Sequence, residues 1–542
     1  MRACLRLGAA AAVLYLVLIQ PNHPAAMTWW ALLVFPLELP VILFGLLVID
    51  TARLRLTVRI VITAALSVIA LLKTADYAMF TALTRGFNPV ADLPLIEAGL
   101  RLLVGAIGPL LATGALLMAL AAVAFVISAI WWATGVWAKT SAPMPVARAS
   151  AGVAALSGAL AVAEIGQAMG RWSVPGSIPG AAFTARVGIE RVDMVVRTID
   201  ELRSFNALAR QDPYVDADGL FAAIDRDVLI VFVESYGRTS LDTPFFAEMH
   251  RATLARSSER LADLGLSMRS GILSAPTRGG QSWLSHATFA NGLWISDQTR
   301  YGAALASGRA TLFHLAERAG FRTAAVMPQI TLEWPEADFM GFETVLAADD
   351  LDYRGLPFNW VTMPDQYTLS AMDRLLRAET GDDTRPLFAQ VALSSSHAPW
   401  VPVPELIDWD TVGNGRIFDV MATQGDPPDV VWRDRDRVRA QYRLAIDYAL
   451  QTVFDYAARH AAEPPLMIVV GDHQAAGFVA LDERPDVPVH VIGPEHLVSL
   501  VAEWGFAPGL VPGDQIPAIP MDQMRNMILD TFSRDKERDT AG

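Results

Sequence analysis

The chain has 542 residues, of which 53% are hydrophobic, and it carries a net charge of −14 with a single cysteine. One cysteine excludes an intrachain disulfide, and the acidic balance argues against nucleic acid as a partner. The charge is divided unevenly, because the first 170 residues carry 10 Lys and Arg against 6 Asp and Glu, whereas the remainder carries 33 against 51. We therefore expect a membrane domain at 1–170 followed by an acidic soluble part that is long enough to bury its own core.

Apolar runs in the first part predict five membrane spans. They cover 5–21, 27–49, 56–79, 102–137 and 149–169. The fourth is uncharged from Leu102 to Ala138, which exceeds the ~20 residues that a helix needs to cross a bilayer. Glu38 and Glu164 fall inside predicted spans, where an ionisable residue is either functional or paired within the bundle. We favour pairing for both.

Lys and Arg residues on the short loops predict the orientation of these spans. One side of the membrane would hold most of them, namely Arg2, Arg6, Arg53, Arg55, Arg59, Lys139 and Arg148. The other side would hold only Arg85 and Arg101. The positive-inside rule then places the N-terminus in the cytoplasm. Five crossings of the cytoplasmic (inner) membrane would put everything after Arg171 outside, in a periplasmic or extracellular position.

The pattern changes after the Pro/Gly-rich stretch "RWSVPGSIPG". Apolar residues at helical spacing between 192 and 202 predict an amphipathic connecting helix, and we assign 171–215 to this linker. From Asp227 on, helix-like segments alternate with the short apolar runs "VLIVFV", "TAAVM", "LFAQVAL", "LMIVVG" and "VHVIG". This alternation predicts that 216–542 is an α/β domain with a largely parallel sheet.

Polar clusters follow three of these runs directly. Glu234 follows "VLIVFV", "SSSH" at 394–397 follows "LFAQVAL", and Asp472 with His473 follows "LMIVVG". Sites in open α/β sheets form beyond the carboxyl ends of the strands, so these side chains could face one crevice. Two carboxylates and an imidazole suit a divalent cation such as Mn²⁺ or Zn²⁺. The sequence therefore predicts that Asp472 and His473 hold a metal.

The segment "SAPTRGGQSWLSHATFANGLW" contains Ser274, Thr277, Ser282 and Ser285 as nucleophile candidates. Ser282 follows two glycines and opens a helix-like stretch that Gly292 could close. A serine at this position is either an N-cap or a nucleophile at a helix N-terminus that attracts phosphate or sulfate. A metal beside the hydroxyl would lower its pKa and make it an attacking alkoxide.

Together, these motifs at 227–493 resemble the alkaline phosphatase and sulfatase superfamily. With five membrane spans, they are most similar to lipoteichoic acid synthase and related phosphoglycerol or phosphoethanolamine transferases. The resemblance implies one divalent metal, manganese, with zinc or magnesium as alternatives. It implies that Glu234, Ser282, Asp472 and His473 bind this metal and that Ser282 is the covalent nucleophile.

The resemblance also implies substrate-binding residues, with one departure. His397 in "SSSHAPW" matches a substrate-contacting histidine, and Trp334 matches the Trp of a Trp-x-Arg motif that grips glycerol phosphate. Glu336 stands where that arginine is expected. Arg278 is therefore either the replacement for the missing cation or a surface residue.

The expected function is a membrane-anchored transferase that moves a phospho-head group from a lipid donor to an extracytoplasmic glycan or lipid acceptor. The alternative is a hydrolase of the same fold, either a phosphodiesterase or a sulfatase. "SAPTR" at 274–278 mimics the Ser-x-Pro-x-Arg motif of sulfatases matured to formylglycine, and a sulfatase would use Ser274. The Gly-x-Ser context favours Ser282. A non-catalytic receptor or transporter is disfavoured because the proposed catalytic set is intact.

Overall fold

The computed structural model of the chain describes residues 1–83, 85–378, 383–513 and 516–533. The last nine positions of the expected outer domain, 534–542, lie outside the described residues. The chain divides into two compact units, Met1–Arg203 and Ser204–Gly542.

The first unit is helical. Its helices are α1 Arg2–Ile19, α2 Glu38–Val48, α3 Ala52–Leu83, α4 Leu93–Ile107, α5 Pro109–Ala138, α6 Met144–Ala168 and α7 Phe183–Ala209, the last of which continues into the second unit. Among the described residues, four helices are long and apolar enough to cross a membrane, namely α1, α3, α5 and α6. The predicted connecting helix corresponds to α7.

Two of the five predicted spans differ from the structure. The second, at 27–49, is not one helix, because Pro36 lacks a backbone N–H and its segment forms a β-bridge with Ala181 instead. Its helical part, α2, has 11 residues, which is short of the ~20 that span a bilayer as a helix. The fourth begins at Pro109 rather than at 102, since Gly108 with φ of 80° ends α4. The count of five crossings is therefore not confirmed.

Glu38 and Glu164 are both paired inside the first unit. Oε1 of Glu38 accepts a hydrogen bond of 3.0 Å from the backbone N–H of Ala185, and Oε2 of Glu164 accepts one of 3.1 Å from that of Ala182. Glu164 also forms an ion pair of 2.7 Å with Arg186. Carboxylates at the start of a helix satisfy its free N–H groups and complement its dipole. These two therefore fix the first turn of α7.

The second unit is built on one mixed sheet. Its strands are β1 Val228–Val233, β2 Ser267–Ser274, β3 Arg322–Met327, β4 Thr344–Ala347, β5 Leu387–Leu393, β6 Leu466–Gly471, β7 Asp486–Gly493, β8 Ala507–Pro508 and β9 Ala518–Pro520. They are ordered β4-β3-β5-β1-β6-β7-β2-β8, with β9 beside β2. The strands from β4 to β6 run parallel, but β7 is antiparallel to both β6 and β2. The expectation of a largely parallel sheet holds for that side only.

Helices cover both faces of this sheet. They are α8 Thr239–Asp242, α9 Pro244–Asp263, α10 Ser282–Asn291, α11 Gln298–Ala306, α12 Leu312–Arg318, α13 Asp365–Met372, α14 Asp419–Ala422, α15 Pro428–Val431, α16 Arg435–Arg459, α17 Gly477–Ala480, α18 Glu495–Val498 and α19 Met524–Phe532. Alternate residues of β1 enter two apolar cores, with Val231 in one and Ile230 in the other. Burial on both faces explains the uninterrupted apolar run of this strand.

The central strands set the position of the candidate site. β5, β1 and β6 are neighbours, and Val233 at the end of β1 is in register with Leu393 of β5 and Gly471 of β6. Glu234, Ser394 and Asp472 are the next residues of the three strands. The three polar clusters therefore emerge side by side at one edge of the sheet.

Candidate active site

Glu234 and Asp472 are fixed where β1 and β6 end. Oδ1 of Asp472 accepts hydrogen bonds from the backbone N–H groups of Ser235 at 2.8 Å and His473 at 2.6 Å. Ser235 has φ of 58°, a left-handed conformation that is uncommon for a residue other than glycine. The bond to Asp472 helps to hold this turn, which places the Glu234 carboxylate beside the end of β6.

Ser282 is brought to this edge by α10. The helix begins at Ser282 and ends before Gly292, as expected from the sequence. The N-cap position belongs to Gln281, which has φ of 66°, and no side chain caps the helix. The Ser282 hydroxyl instead donates a hydrogen bond of 2.9 Å to Oε2 of Glu234. The N-cap interpretation of Ser282 is therefore wrong.

Glu234, Asp472 and His473 form a cluster that fits a metal ion. Each offers a ligand atom, and these atoms all lie within 4.8 Å of one another. Nε2 of His473 is buried and 3.1 Å from Oε1 of Glu234, yet it makes no hydrogen bond to any described residue. A buried nitrogen that makes no hydrogen bond costs free energy unless a ligand satisfies it. Two carboxylates and an imidazole, with the Ser282 hydroxyl adjacent, suit a divalent cation.

Charge within the cluster is unbalanced, and the pKa shifts reflect this. Burial acts to raise the pKa of Glu234, but the charge on His473 outweighs it and holds that pKa below its usual value. Burial, followed by the charge on Glu234, raises the pKa of Asp472 well above its usual value. Burial acts to lower the pKa of His473, but the two carboxylates raise it to about 9. The two carboxylates therefore need a positive charge nearby, which either a protonated His473 or a metal ion would supply.

The turn after β5 is held by hydrogen bonds at the same edge of the sheet as the metal cluster. Asp365, fully buried at the start of α13, accepts hydrogen bonds of 2.8 Å from the backbone N–H groups of Ser394 and Ser395. Ser396 donates its hydroxyl to the backbone carbonyl of Glu234 at 2.6 Å. This turn leads into His397, which is exposed. Asp365 was not among the residues predicted from the sequence. Its position at the start of an apolar helix was the only signal for a capping role.

The predicted substrate-binding residues occupy different environments. His397 is exposed in the segment that follows β5, which leaves the sheet at the same edge as the cluster. Trp334 packs against Phe342 with ring centroids 6.1 Å apart. The guanidinium of Arg278 forms an ion pair with Glu483 and donates to its backbone carbonyl at 2.8 Å. No described contact joins Trp334 to the metal cluster, whereas the backbone of Arg278 forms a β-bridge with Gln474, the residue after His473.

His286 lies beside the candidate site and was not among the residues predicted from the sequence. It lies four positions after Ser282 on α10, and a spacing of four places two side chains on the same helix face. Burial lowers the pKa of His286 to about 4, so the ring is neutral at neutral pH. Its Nε2 makes no hydrogen bond to a described residue. The spacing from Ser282 was the available signal.

A comparison with family models found a match within the second unit. Residues 226–484 match the model described as Sulfatase. Glu234, Ser282, Asp472 and His473 all lie inside the matched range, and the predicted superfamily resemblance is confirmed.

Several solved structures resemble this chain, but their TM-scores are low. Lipoteichoic acid synthase LtaP from Listeria monocytogenes is 12% identical with a TM-score of 0.36, over 60% of this chain and 81% of that chain. The soluble domain of lipooligosaccharide phosphoethanolamine transferase A from Neisseria meningitidis is 11% identical with a TM-score of 0.38, over 58% and 89%. Phosphonate monoester hydrolase of Agrobacterium radiobacter is 13% identical with a TM-score of 0.30, over 58% and 78%. We draw no conclusion about the reaction from scores this low, and no curated protein matches the chain.

Proposed function

We propose that the protein is a membrane-anchored, metal-dependent transferase of phospho-head groups. It would take a phosphoglycerol or phosphoethanolamine group from a lipid donor and pass it to an extracytoplasmic glycan or lipid. The observation that carries this proposal is the Ser282 hydroxyl, which opens α10 without capping it and bonds to Glu234 beside the Asp472–His473 pair. A hydroxyl at an uncapped helix N-terminus, next to a cluster that fits a metal ion, is the arrangement that phosphoryl transfer to a serine requires.

The chain's own residues supply most of the chemistry. The Ser282 hydroxyl proton is directed at Oε2 of Glu234, which leaves the oxygen lone pairs available for attack on phosphorus. The uncapped first turn of α10 offers backbone N–H groups to the phosphate oxygens. A divalent cation, in first place Mn²⁺, held by Glu234, Ser282, Asp472 and His473 would lower the pKa of the hydroxyl.

The transfer would take two balanced steps. In the first, Oγ of Ser282 would bond to phosphorus and give its proton to Oε2 of Glu234, while the bond from phosphorus to the diacylglycerol oxygen breaks and diacylglycerol leaves with that proton. In the second, an acceptor hydroxyl would lose its proton and bond to phosphorus, while the bond from phosphorus to Oγ breaks and Ser282 takes up the proton. His397, exposed at the same edge, would contact the phospho group during both steps.

Membrane placement is part of the proposal. Residues 1–170 would form the membrane domain, 171–215 the linker and 216–542 the catalytic domain outside the cytoplasmic membrane. The four long apolar helices support anchoring, and the distribution of Lys and Arg supports a cytoplasmic N-terminus. A C-terminal alkaline phosphatase fusion should be active in cells. A silent fusion, with a bright cytoplasmic fluorescent fusion, would refute this placement.

A hydrolase with water as acceptor is the second candidate. It shares the Ser282 step, and the match to the Sulfatase model is compatible with it. The formylglycine variant is less well supported, because the hydroxyl that bonds to Glu234 is that of Ser282.

One assay separates transfer from hydrolysis. The full-length protein is incubated with phosphatidylglycerol or phosphatidylethanolamine vesicles, with and without an acceptor glycan. A transferase should release diacylglycerol and label the glycan. Free phospho-head group at equal rates in both samples would instead identify a hydrolase.

A further inference from the structure

An exposed tryptophan is held at the tip of a fixed turn in the second unit. The Trp360 side chain is 70% exposed. The residues on either side of the tip, Phe358 and Val361, exchange backbone hydrogen bonds of 2.7 and 3.1 Å. Asn359 has φ of 58° and donates its side-chain amide to the carbonyl of Val401 at 2.5 Å. The exposed indole is therefore presented by a constrained turn, not by a loose loop.

This turn lies at the edge of the sheet that carries the candidate active site. Thr362 donates its hydroxyl at 2.6 Å to the carbonyl of Pro328, which directly follows β3. Val401, the acceptor for Asn359, is four residues after His397 in the segment that follows β5. Both anchors of the turn thus belong to segments that leave the carboxyl ends of parallel strands, the edge at which Glu234 and Ser282 meet.

Three aliphatic side chains are also exposed, one on the loop that carries Trp360 and two on the loop around Asp419. Leu356 is 47%, Ile417 45% and Val420 66% exposed. The loops are joined, because Asp419 accepts a hydrogen bond of 2.7 Å from the backbone N–H of Leu356. We call Leu356, Trp360, Ile417 and Val420 the Trp360 patch. Several large apolar side chains exposed together on a soluble domain mark an interaction surface.

The chemistry of the Trp360 patch favours lipid over glycan. A tryptophan alone would suit a sugar ring as well, but the aliphatic side chains beside it offer no hydrogen bonds to hydroxyl groups. Tryptophan is enriched where protein meets the bilayer interface, because its ring is apolar and its N–H is polar. Among the described residues, four helices are also long and apolar enough to cross a membrane, so the proposed membrane domain would put a bilayer among the surroundings of the chain.

We infer that the Trp360 patch docks on the apolar part of bilayer phospholipids and so presents their head-group phosphodiester to Ser282. The expected effect on turnover rests on the proposed function, but lipid contact at the Trp360 patch can be measured without turnover. The patch would act on substrates embedded in a membrane and not on small diesters in water.

Two substrates, one in a membrane and one soluble in water, test whether the Trp360 patch serves only membrane-embedded lipids. Full-length Trp360→Ser and Val420→Ser variants, and the double variant, are compared with wild type on phosphatidylglycerol vesicles and on water-soluble bis(p-nitrophenyl) phosphate. Losing one buried apolar contact should slow use of the vesicles roughly tenfold. Turnover of the soluble diester should stay unchanged. The matched control is Leu500→Ser, which removes a side chain of 42% exposure located after the end of antiparallel β7, at the opposite edge of the sheet.

A second measurement reports contact directly. Cys4 is the only cysteine of the chain, so a Cys4→Ser background permits one environment-sensitive fluorophore at Trp360→Cys or at Leu500→Cys. In proteoliposomes, brominated lipids should quench the probe at position 360 and not at position 500.

Each outcome of these two experiments either upholds or overturns the inference. Equal quenching at the two positions, or a Trp360→Ser enzyme that uses vesicles at the wild-type rate, would overturn the inference. Loss on both substrates would also overturn it, because the patch would then serve the chemistry itself. A loss that appears only with added glycan, without quenching, would identify a glycan platform instead. Quenching at position 360 in a protein that turns over neither substrate would uphold docking and refute the proposed function.

Discussion

The hydroxyl of Ser282 and the carboxylate of Glu234 are joined by a hydrogen bond of 2.9 Å, although 47 residues separate them in the chain. One side chain opens α10 and the other follows β1. The bond brings a hydroxyl nucleophile candidate to the cluster that also contains Asp472 and His473. Most of the proposed chemistry depends on this single contact.

Serine variants test the role of the hydroxyl. Ser282→Ala should abolish turnover and keep metal binding, since Glu234, Asp472 and His473 are unchanged. Ser282→Thr should retain partial activity because a hydroxyl stays in reach. The Ser274→Ala control should be nearly as active as wild type. Single-turnover assays and thermal melts decide this, and an inactive Ser274→Ala protein whose wild-type parent carries formylglycine would reverse the assignment.

Metal content tests the cluster. Asp472→Asn and His473→Gln keep the size of each side chain but weaken a ligand, so metal affinity should fall by at least roughly tenfold. The matched control is His250→Gln, because His250 is equally buried and its Nε2 bonds to the carbonyl of Arg443 at 2.9 Å, away from the cluster. Metal analysis of purified, dialysed proteins measures the difference. Full metal occupancy in either cluster variant would mean that these residues have another task.

The sequence predicted the strands that carry the site because their signal is local. β1, β5 and β6 are buried on both faces and read as uninterrupted apolar runs, so even their ends are correct. β2 was missed because "SMRSGILS" mixes polar and apolar residues at the side of the sheet where β7 reverses direction. Strand direction depends on the connections between strands, which no local pattern encodes.

The site was predictable only in part for a similar reason. Glu234, Asp472 and His473 stand directly after strands, where the rule for α/β sheets places sites. Asp365 acts through the backbone of a turn that is distant in sequence, and His286 has no motif of its own. Trp334 and Arg278 were inferred from resemblance, and their observed partners, Phe342 and Glu483, lie in other loops.

Asp365 should position the turn that precedes His397. Asp365→Ala would leave two backbone N–H groups without their acceptor and should slow turnover by roughly tenfold or more, because a buried unpaired group costs about 1–3 kcal/mol. Asp365→Asn keeps an acceptor oxygen and should restore most of the activity. The matched control is Ser394→Ala, since that buried hydroxyl has no described partner. Steady-state kinetics with metal content as a second readout checks this, and an Asn variant no better than Ala would contradict it.

His490 predicts a specific pH dependence of stability. The ring is buried between Tyr236 and Ser270, and burial lowers its pKa from 6.5 to about 3. The folded state then binds fewer protons than the unfolded state below pH 6.5, so stability is full above that pH and falls on acidification towards about 3.

The variant His490→Gln isolates this effect. Between pH 6.5 and 4, wild type should lose up to about 1.4 kcal/mol per pH unit more than the variant. The raised pKa of Asp365, about 6, acts in the opposite direction but is common to both proteins and cancels. Denaturation of both full-length proteins across this pH range gives the comparison. Parallel stability curves would show that His490 does not govern acid sensitivity.

A covalent adduct on Ser282 is the most direct test of the central claim. The full-length protein is loaded with Mn²⁺, incubated with phosphatidylglycerol and phosphatidylethanolamine vesicles without acceptor, and quenched in acid. Peptide mass spectrometry should then find the peptide containing Ser282 heavier by the mass of a phosphoglycerol or phosphoethanolamine group, and unmodified in Asp472→Asn protein. Release of diacylglycerol with Ser282 unmodified, or an adduct on Ser274 instead, would contradict the account.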